Sequence, residues 1–312
     1  ALPEPAAEAL KDSDLIVDMS ASVAVSRTLA LNENAARCVS LFFNPSASDL
    51  VMLAEDAKRA RSLLDLEASY YAELSVNADL AGHLHVADET GVRFGNGCRD
   101  VTARTSPDKV AIFGGLAVQG LRSASASSDA VAKIWRTTPD GAVKIIGLPT
   151  PPFRSRRVGD WDVRWSDELV TRLSAQRRAD LPNETGGILL GLVDFERRQI
   201  CVSAAIDPPP DSVKKPHYFE RGKTGLEARL RSVGQATAGQ LRYVGEWHSH
   251  PDGWAATPSD DDDALFATLA ALFRGTGEPY LMSIVSEAVL FWRFGLNGEA
   301  FDARLELHSK VL

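Results

Sequence analysis

Cysteine is scarce in this chain: Cys38, Cys98 and Cys201 are the three among 312 residues. Odd in number and far apart, they build neither a disulfide framework nor a C-x-x-C metal knuckle, and a reducing compartment is expected. Long apolar runs are also missing. None approaches the roughly 20 residues that span a bilayer, and residues 1–10 show neither the basic region nor the apolar stretch of a secretion signal. The expectation is a cytoplasmic protein with no membrane partner. Basic excess is absent too: 34 Lys and Arg stand against 42 Asp and Glu, a formal charge of −8. Binding to a phosphate backbone needs the opposite sign, so nucleic acid is not expected as a partner. With 16 Pro and 23 Gly the chain has too little of either for a collagen-like or disordered polymer. What remains is 45% hydrophobic and 24% charged residues, a folded chain whose length suggests two domains at about 150 residues each.

The clearest break falls between Gly147 and Asp160, where Leu148-Pro149-Thr150-Pro151-Pro152 runs into Arg154-Ser155-Arg156-Arg157 with no apolar period. Residues 148–160 are expected to be a linker between domains at 1–147 and 161–312. Before it, residues 14–18 and 38–43 read as buried strands with a helix between them, and residues 55–74 and 110–121 as helices. This alternation suggests an α/β half with a parallel sheet. After it, residues 167–180 read as a helix, 186–193 and 199–206 as a strand hairpin, and 225–238 as a helix. Residues 241–250 read as a strand, 260–273 as a helix, and 280–294 as two strand-like runs. That mixture is α+β.

The chemistry concentrates in Glu246-Trp247-His248-Ser249-His250-Pro251, followed after seven residues by Ser259-Asp260-Asp261-Asp262. Side chains two apart on a strand share a face, so His248 and His250 can offer two imidazoles to one ion. Pro251 ends the strand and places them where an ion can reach. Ser259 reads as a helix N-cap, which puts Asp262 at the third helical position with its carboxylate at the helix start. The same spacing also describes an ordinary capping box, and the two readings are compatible. Two imidazoles and a carboxylate suit zinc better than magnesium and leave a fourth position for water, as in catalytic sites. Glu184, just before the apolar strand at 186–193, is the leading general base. Glu246 shares a face with His248 and competes for that role or orients a ligand histidine; the second is favoured. A second His-x-His, His83-Leu84-His85, lacks the companion Pro, Ser and Asp and reads as ordinary surface or core histidine.

The pattern His248-x-His250-Pro251-x7-Ser259-x-x-Asp262, preceded by Glu184 and a Gly-Gly-x-Leu-Leu-Gly strand, resembles the JAB/JAMM (MPN-type) zinc metalloproteases. That resemblance covers about residues 161–312. It implies that His248, His250 and Asp262 bind one catalytic zinc, that Glu184 is the acid/base, and that Ser259 helps stabilise the tetrahedral intermediate. It also implies the substrate class, ubiquitin-like proteins and their conjugates, and a setting in bacterial ubiquitin-like conjugation, where such proteases serve phage defence. The segment 214–221, with its aromatics, is a candidate for substrate recognition. A rival reading is a non-catalytic scaffold, or a subunit of a split ubiquitin-activating-type enzyme, that holds a ubiquitin-like protein. A nucleic-acid deaminase is excluded because no P-C-x-x-C accompanies an H-x-E.

In the first half, Asp14-Leu-Ile-Val-Asp18-Met-Ser-Ala21-Ser22 resembles the later part of a ThiF/MoeB-type adenylating domain, which implies a partial Rossmann-like half. Ala21 stands where that family has its magnesium-handling Asp, and Ser22 replaces the following Asn. The Gly-rich phosphate loop that precedes this strand in the family is not among these residues, so ATP is not expected to act on this chain alone. A strand of a parallel sheet needs neighbours, so a complementary activating-enzyme chain or a second copy is expected to complete the sheet. Cys98, beside Arg99 in a Gly-rich stretch, is a candidate thioester cysteine, while Cys38 and Cys201 lie in apolar strands and read as core.

Overall fold

Glu4–Asp12 (α1), Ile16–Asp18 (β1), Val23–Leu31 (α2), Cys38–Phe43 (β2), Asp49–Ala54 (β3) and Leu63–Val76 (α3) open a computed structural model of the chain. The short strands Val92–Arg93 (β4) and Val101–Thr102 (β5), the helix Pro107–Ala126 (α4), and the strands Val131–Thr137 (β6) and Val143–Leu148 (β7) follow. The structure describes residues 4–85, 92–93, 101–102, 105–138 and 140–307. Cys98 lies outside these. The chain divides into two compact units, Ala1–Pro152 with Gln235–Ala238, and Phe153–Gly234 with Gly239–Leu312.

The first unit is built on a five-stranded sheet in the order β1-β2-β3-β6-β7. Only the β1–β2 pair is parallel, joined through α2; β2–β3, β3–β6 and β6–β7 are antiparallel. The parallel sheet expected for this half is therefore confined to one pair. For two of the three antiparallel pairs the reason is connection length: five residues separate β2 from β3 and β6 from β7, enough for a hairpin and too few for a crossover. The expected helix from residue 55 begins at Leu63 instead. Acidic side chains hold the intervening turn: Asp56 accepts from the backbone N–H groups of Lys58, Ala60 and Arg61, and Glu55 from Leu63 and Cys38. Ser62 and Asp65 then close a capping box. Cys38 and Cys201 are both fully buried. Burial, with the Glu55 charge adding to it, pushes the Cys38 thiol up to about 12, which keeps it protonated and inert.

The second unit carries Phe153–Val158 (β8), Trp161–Ser166 (β9), Asp167–Asp180 (α5), Gly186–Asp194 (β10), Gln199–Ile206 (β11), Val213–Lys215 (β12) and Tyr218–Glu220 (β13). Leu226–Ala236 (α6), Leu241–Ser249 (β14), Asp260–Leu272 (α7), Tyr280–Val285 (β15), Val289–Leu296 (β16) and Glu299–Glu306 (β17) complete it. Eight strands form one sheet in the order β17-β16-β15-β14-β10-β11-β9-β8, with β12–β13 a separate hairpin. The central strand β10 reads as a near-continuous apolar run, and β14 is buried from Val244 to Ser249, because both faces of the sheet are covered. On one face, Leu169, Val170 and Leu173 of α5 pack against Trp161, Trp165, Trp247 and Trp292. On the other, Leu269 of α7 packs with Phe273, Tyr280, Met282 and Ile284. Trp247 thus faces α5, and the period of a strand turns His248 toward α7. Residues 153–158, within the stretch expected as linker, form β8, which pairs antiparallel with β9. Its arginines sit on an edge strand whose residues 154–157 are all exposed, so no apolar alternation marks it.

Candidate functional site

His248 is held deep in the sheet, paired with Gly186 on β10 and Ile284 on β15. His250 follows the end of β14, where its N–H donates to the Val285 carbonyl at 2.9 Å. Its own carbonyl accepts from Arg177 Nε at 2.7 Å, and the same guanidinium bonds Asp252 in the next turn. Gly253 takes φ +79°, a left-handed conformation that a side chain would strain, and lets the chain turn back. That return brings the Ala255 carbonyl to 2.7 Å from His250 Nδ1. A carbonyl only accepts, so Nδ1 carries the proton and Nε2 of the neutral ring presents its lone pair inward.

Helix α7 supplies the third group. Ser259 is the N-cap: its hydroxyl accepts from Asp262 N–H, and Asp262 Oδ2 accepts from both the Ser259 N–H (2.7 Å) and its hydroxyl (2.8 Å). The capping box and the candidate ligand position are one arrangement. Asp262 Oδ1 lies 2.9 Å from His248 Nε2, and Oδ2 lies 3.9 Å from His250 Nε2. The two Nε2 atoms are 3.3 Å apart, and one ligand atom from each of the three residues falls within a 4.8 Å span. Burial lowers the His250 pKa, with the His248 charge acting the same way and the Ala255 bond opposing it. Burial raises the Asp262 carboxyl, but the His248 bond and charge and the Ser259 bonds outweigh it and hold it well below the ordinary carboxylate range. A buried lone pair of His250 facing another imidazole and an ionised carboxylate is the arrangement a divalent cation satisfies. This donor set therefore fits a zinc ion.

Glu184 stands across from these groups. Its N–H donates to the Lys215 carbonyl at 2.9 Å, and the neighbouring Thr185 is tied to Ser249 in both directions, N–H to hydroxyl and N–H to carbonyl. The segment before β10 is thereby fixed to the end of the histidine-bearing strand. Half-buried, the Glu184 carboxyl is pushed up to about 7, first by burial; the Asp262 and Asp261 charges add to the rise and His248 opposes it. Among the described residues no hydrogen bond engages that carboxylate. Glu184, His248, His250, Ser259 and Asp262 all line one cleft of about 860 Å³.

Glu246 also lines the cleft, but its partners differ from expectation. Arg221 binds both its oxygens, at 2.9 and 2.8 Å, and Tyr243 donates to it at 3.1 Å. Among the described residues its carboxylate bonds neither His248 nor His250, because Arg221, after β13, has claimed both oxygens. Sequence reasoning missed Arg177, which steadies the His250 turn. The signal was present, since Arg177 continues the apolar row Leu169, Leu173 on α5 at i+4 spacing and is only 4% exposed. The second His-x-His stays in the first unit. His83 is buried, with Nδ1 2.6 Å from Asp49 and Nε2 2.9 Å from the Tyr70 hydroxyl, and His85 is exposed.

Residues 166–295 match the model of a family described as prokaryotic homologues of the JAB domain. A protein of Enterobacter hormaechei subsp. hoffmannii named CD-NTase/cGAS isopeptidase is 38% identical over 89 residues, 28% of this chain and 47% of that protein. Proteins of the same name from Escherichia coli and Pseudomonas aeruginosa are 31% identical over 121 residues and 32% identical over 113 residues. These alignments cover 38% and 36% of this chain, and 72% and 69% of the respective relatives. The chain thus spans about half the length of the Enterobacter protein it matches and more than two thirds of the other two.

Proposed function

Because the chain belongs to the prokaryotic homologues of the JAB domain, we propose that its second unit is a zinc-dependent isopeptidase that releases or processes a ubiquitin-like protein. The observation that supports this best is the convergence of His248, His250 and Asp262 within 4.8 Å, in a cleft that Glu184 shares. The relatives' names, CD-NTase/cGAS isopeptidase, direct the choice of target toward an amide bond in a conjugate of a CD-NTase.

His248 and His250, as neutral imidazoles through Nε2, and Asp262, as an ionised carboxylate, would hold the metal. Bound there, zinc would supply Lewis acidity and a water of lowered pKa. The remaining work falls to the chain's own groups. Glu184, poised near neutrality, takes a proton from the attacking water and delivers it to the leaving nitrogen as the C–N bond breaks and the C–O bond forms. Burial of the cleft makes that relay effective, because a carboxyl with an ordinary pKa would hold the proton too weakly to pass it on. Ser259 holds Asp262 in place through its amide and hydroxyl; as charge develops on the oxyanion we assign the single hydroxyl proton to it, turned away from Asp262 Oδ2, while the Ser259 N–H keeps its bond to that carboxylate. Arg177, through the His250 carbonyl, keeps the second ligand at its station.

The test is cleavage of a ubiquitin-like protein fused or conjugated to a CD-NTase, by zinc-loaded wild type and by Glu184→Gln. Cleavage by wild type and its loss in a variant that still binds zinc is expected. Equal cleavage by both would refute the role of Glu184, and the absence of cleavage by wild type would refute the isopeptidase reading.

A further inference from the structure

The eight-stranded sheet of the second unit has two edges, β8 and β17, and they are finished differently. β17 carries both signs, Glu299, Asp302, Arg304 and Glu306, and its Asp302 is bound by Arg293 of the neighbouring strand at 2.9 Å. β8 carries Arg154, Arg156 and Arg157 and no acidic residue. The carboxylates that follow it in sequence are already engaged: Asp167 with Arg154 at 2.7 Å, Asp160 with Arg198 at 3.5 Å and Asp162 with Arg164 at 3.7 Å. Arg156 and Arg157 are exposed, and among the described residues neither meets a carboxylate. Charge of either sign discourages an edge from pairing with a copy of itself. Two uncompensated cations side by side, in a chain with a net charge of −8, also call for an anionic partner.

The backbone of the same edge is open. The Asp162 N–H donates to the Arg198 carbonyl at 2.9 Å, on the β11 side, and so turns away from β8. Its cross-strand partner Arg157 therefore sits in a non-hydrogen-bonded pair. The N–H and C=O of Arg157, with those of Ser155 two residues earlier, point outward, and among the described residues no other backbone group bonds them. Successive side chains leave a strand on opposite faces. Arg156, opposite Val163 of the α5-facing core, and Arg157, opposite Asp162, thus flank the open ladder one on each face.

We propose that β8 is a docking edge for an extended acidic segment of a partner protein, which adds to the sheet as a ninth strand. The backbone of that segment pairs with the outward groups of Ser155 and Arg157, and two consecutive acidic side chains, one on each face, meet Arg156 and Arg157. Consecutive acids follow from the period of a strand, since acids two apart reach one face only. The strands β9 and β11 separate this edge from β10, and the inference is independent of the isopeptidase reading.

The experiment follows, by fluorescence anisotropy, binding of the full chain to a labelled peptide of about eight residues in which Glu-Asp pairs alternate with Val-Thr pairs. Wild type is expected to hold it about tenfold more tightly than its Gln-Asn counterpart, the worth of two exposed charge pairs. A loss of the same order is expected in Arg156→Ser/Arg157→Ser and on N-methylation of the peptide's central residues, while Arg156→Lys/Arg157→Lys keeps most of the affinity. Circular dichroism melts of both double variants establish that each is folded. Equal binding of the N-methylated peptide overturns strand addition and leaves a patch that attracts any polyanion. Equal binding of the Gln-Asn peptide, unchanged binding in the serine variant, or no binding by wild type overturns the docking edge itself. Sedimentation at rising concentration separates the remaining occupant: wild type that associates through β8, where Arg156→Ser/Arg157→Ser does not and the peptide fails to compete, assigns the edge to β17 of a second copy and overturns the proposal.

Discussion

Two His-x-His sequences occur in this chain, and they have opposite fates. His248 and His250 stand at the end of a buried strand, where a spacing of two puts both imidazoles on the face that α7 covers. The helix brings Asp262 to them. His83 and His85 lie in a turn after Leu80, where the same spacing carries no such consequence: one ring is buried between Asp49 and Tyr70 and the other faces solvent. The difference teaches that a candidate ligand pair is defined by the element beneath it and by a third group arriving from elsewhere. Two histidines in a row are only an opportunity.

The comparison breaks most sharply at the level of catalysis. Glu184→Gln and His250→Ala are each expected to lower isopeptide cleavage by roughly 10²–10⁴-fold, whereas His85→Ala leaves it unchanged. Steady-state rates on one conjugate decide this, and a loss in His85→Ala of the same size would erase the distinction. A smaller effect is expected at Arg177. Replacement by Met removes the bond to the His250 carbonyl and should weaken zinc binding by about 10–100-fold with helix content preserved, as measured by competition with a chromogenic chelator.

Much of this contrast was legible before the fold was known. The strand at 241–250, the cap at Ser259 and the placement of Asp262 follow from local rules, period two on a strand and three residues into a helix, and such rules survive folding. The strands β10 and β11 and the helices α5 and α7 were readable for the same reason. What escaped depends on contacts distant in sequence. Glu246 shares a face with His248, yet Arg221 occupies its carboxylate. The edge strand β8 carries arginines where a pattern search wants alternation, and the turn between β3 and α3, in which the buried Glu55 and Asp56 carboxylates accept from backbone N–H groups, delays the helix to Leu63. Among the described residues of the first unit only β1–β2 pair in parallel, since the short connections make β2–β3 and β6–β7 hairpins, a feature composition does not reveal.

On the structural side of the comparison, His83→Ala should destabilise the first unit by about 1–3 kcal/mol, the cost of leaving buried polar partners unsatisfied, and leave cleavage by the second unit intact. Thermal unfolding followed together with activity checks it, and a parallel loss of both would contradict it. The smallest effect concerns pH. Burial raises the Asp49 carboxyl, but the His83 and Arg136 bonds and charges outweigh it, so its folded pKa lies below the ordinary value of 3.8. A depressed carboxyl contributes stability that is fully present above the unfolded pKa and is lost as pH falls through the folded one. The first unit is therefore expected to lose stability below about pH 4, and Asp49→Asn to be less stable at neutral pH with a flatter acid limb. Denaturant midpoints across pH 2–7 for both proteins would show whether the limb flattens.

The claim that His248, His250 and Asp262 form a metal centre while His83 serves the core is tested most directly by elemental analysis of protein dialysed after zinc loading. The account predicts about one zinc per chain in wild type and in His83→Ala, and none in His250→Ala. Zinc retained equally in His250→Ala, or absent from wild type, would contradict it.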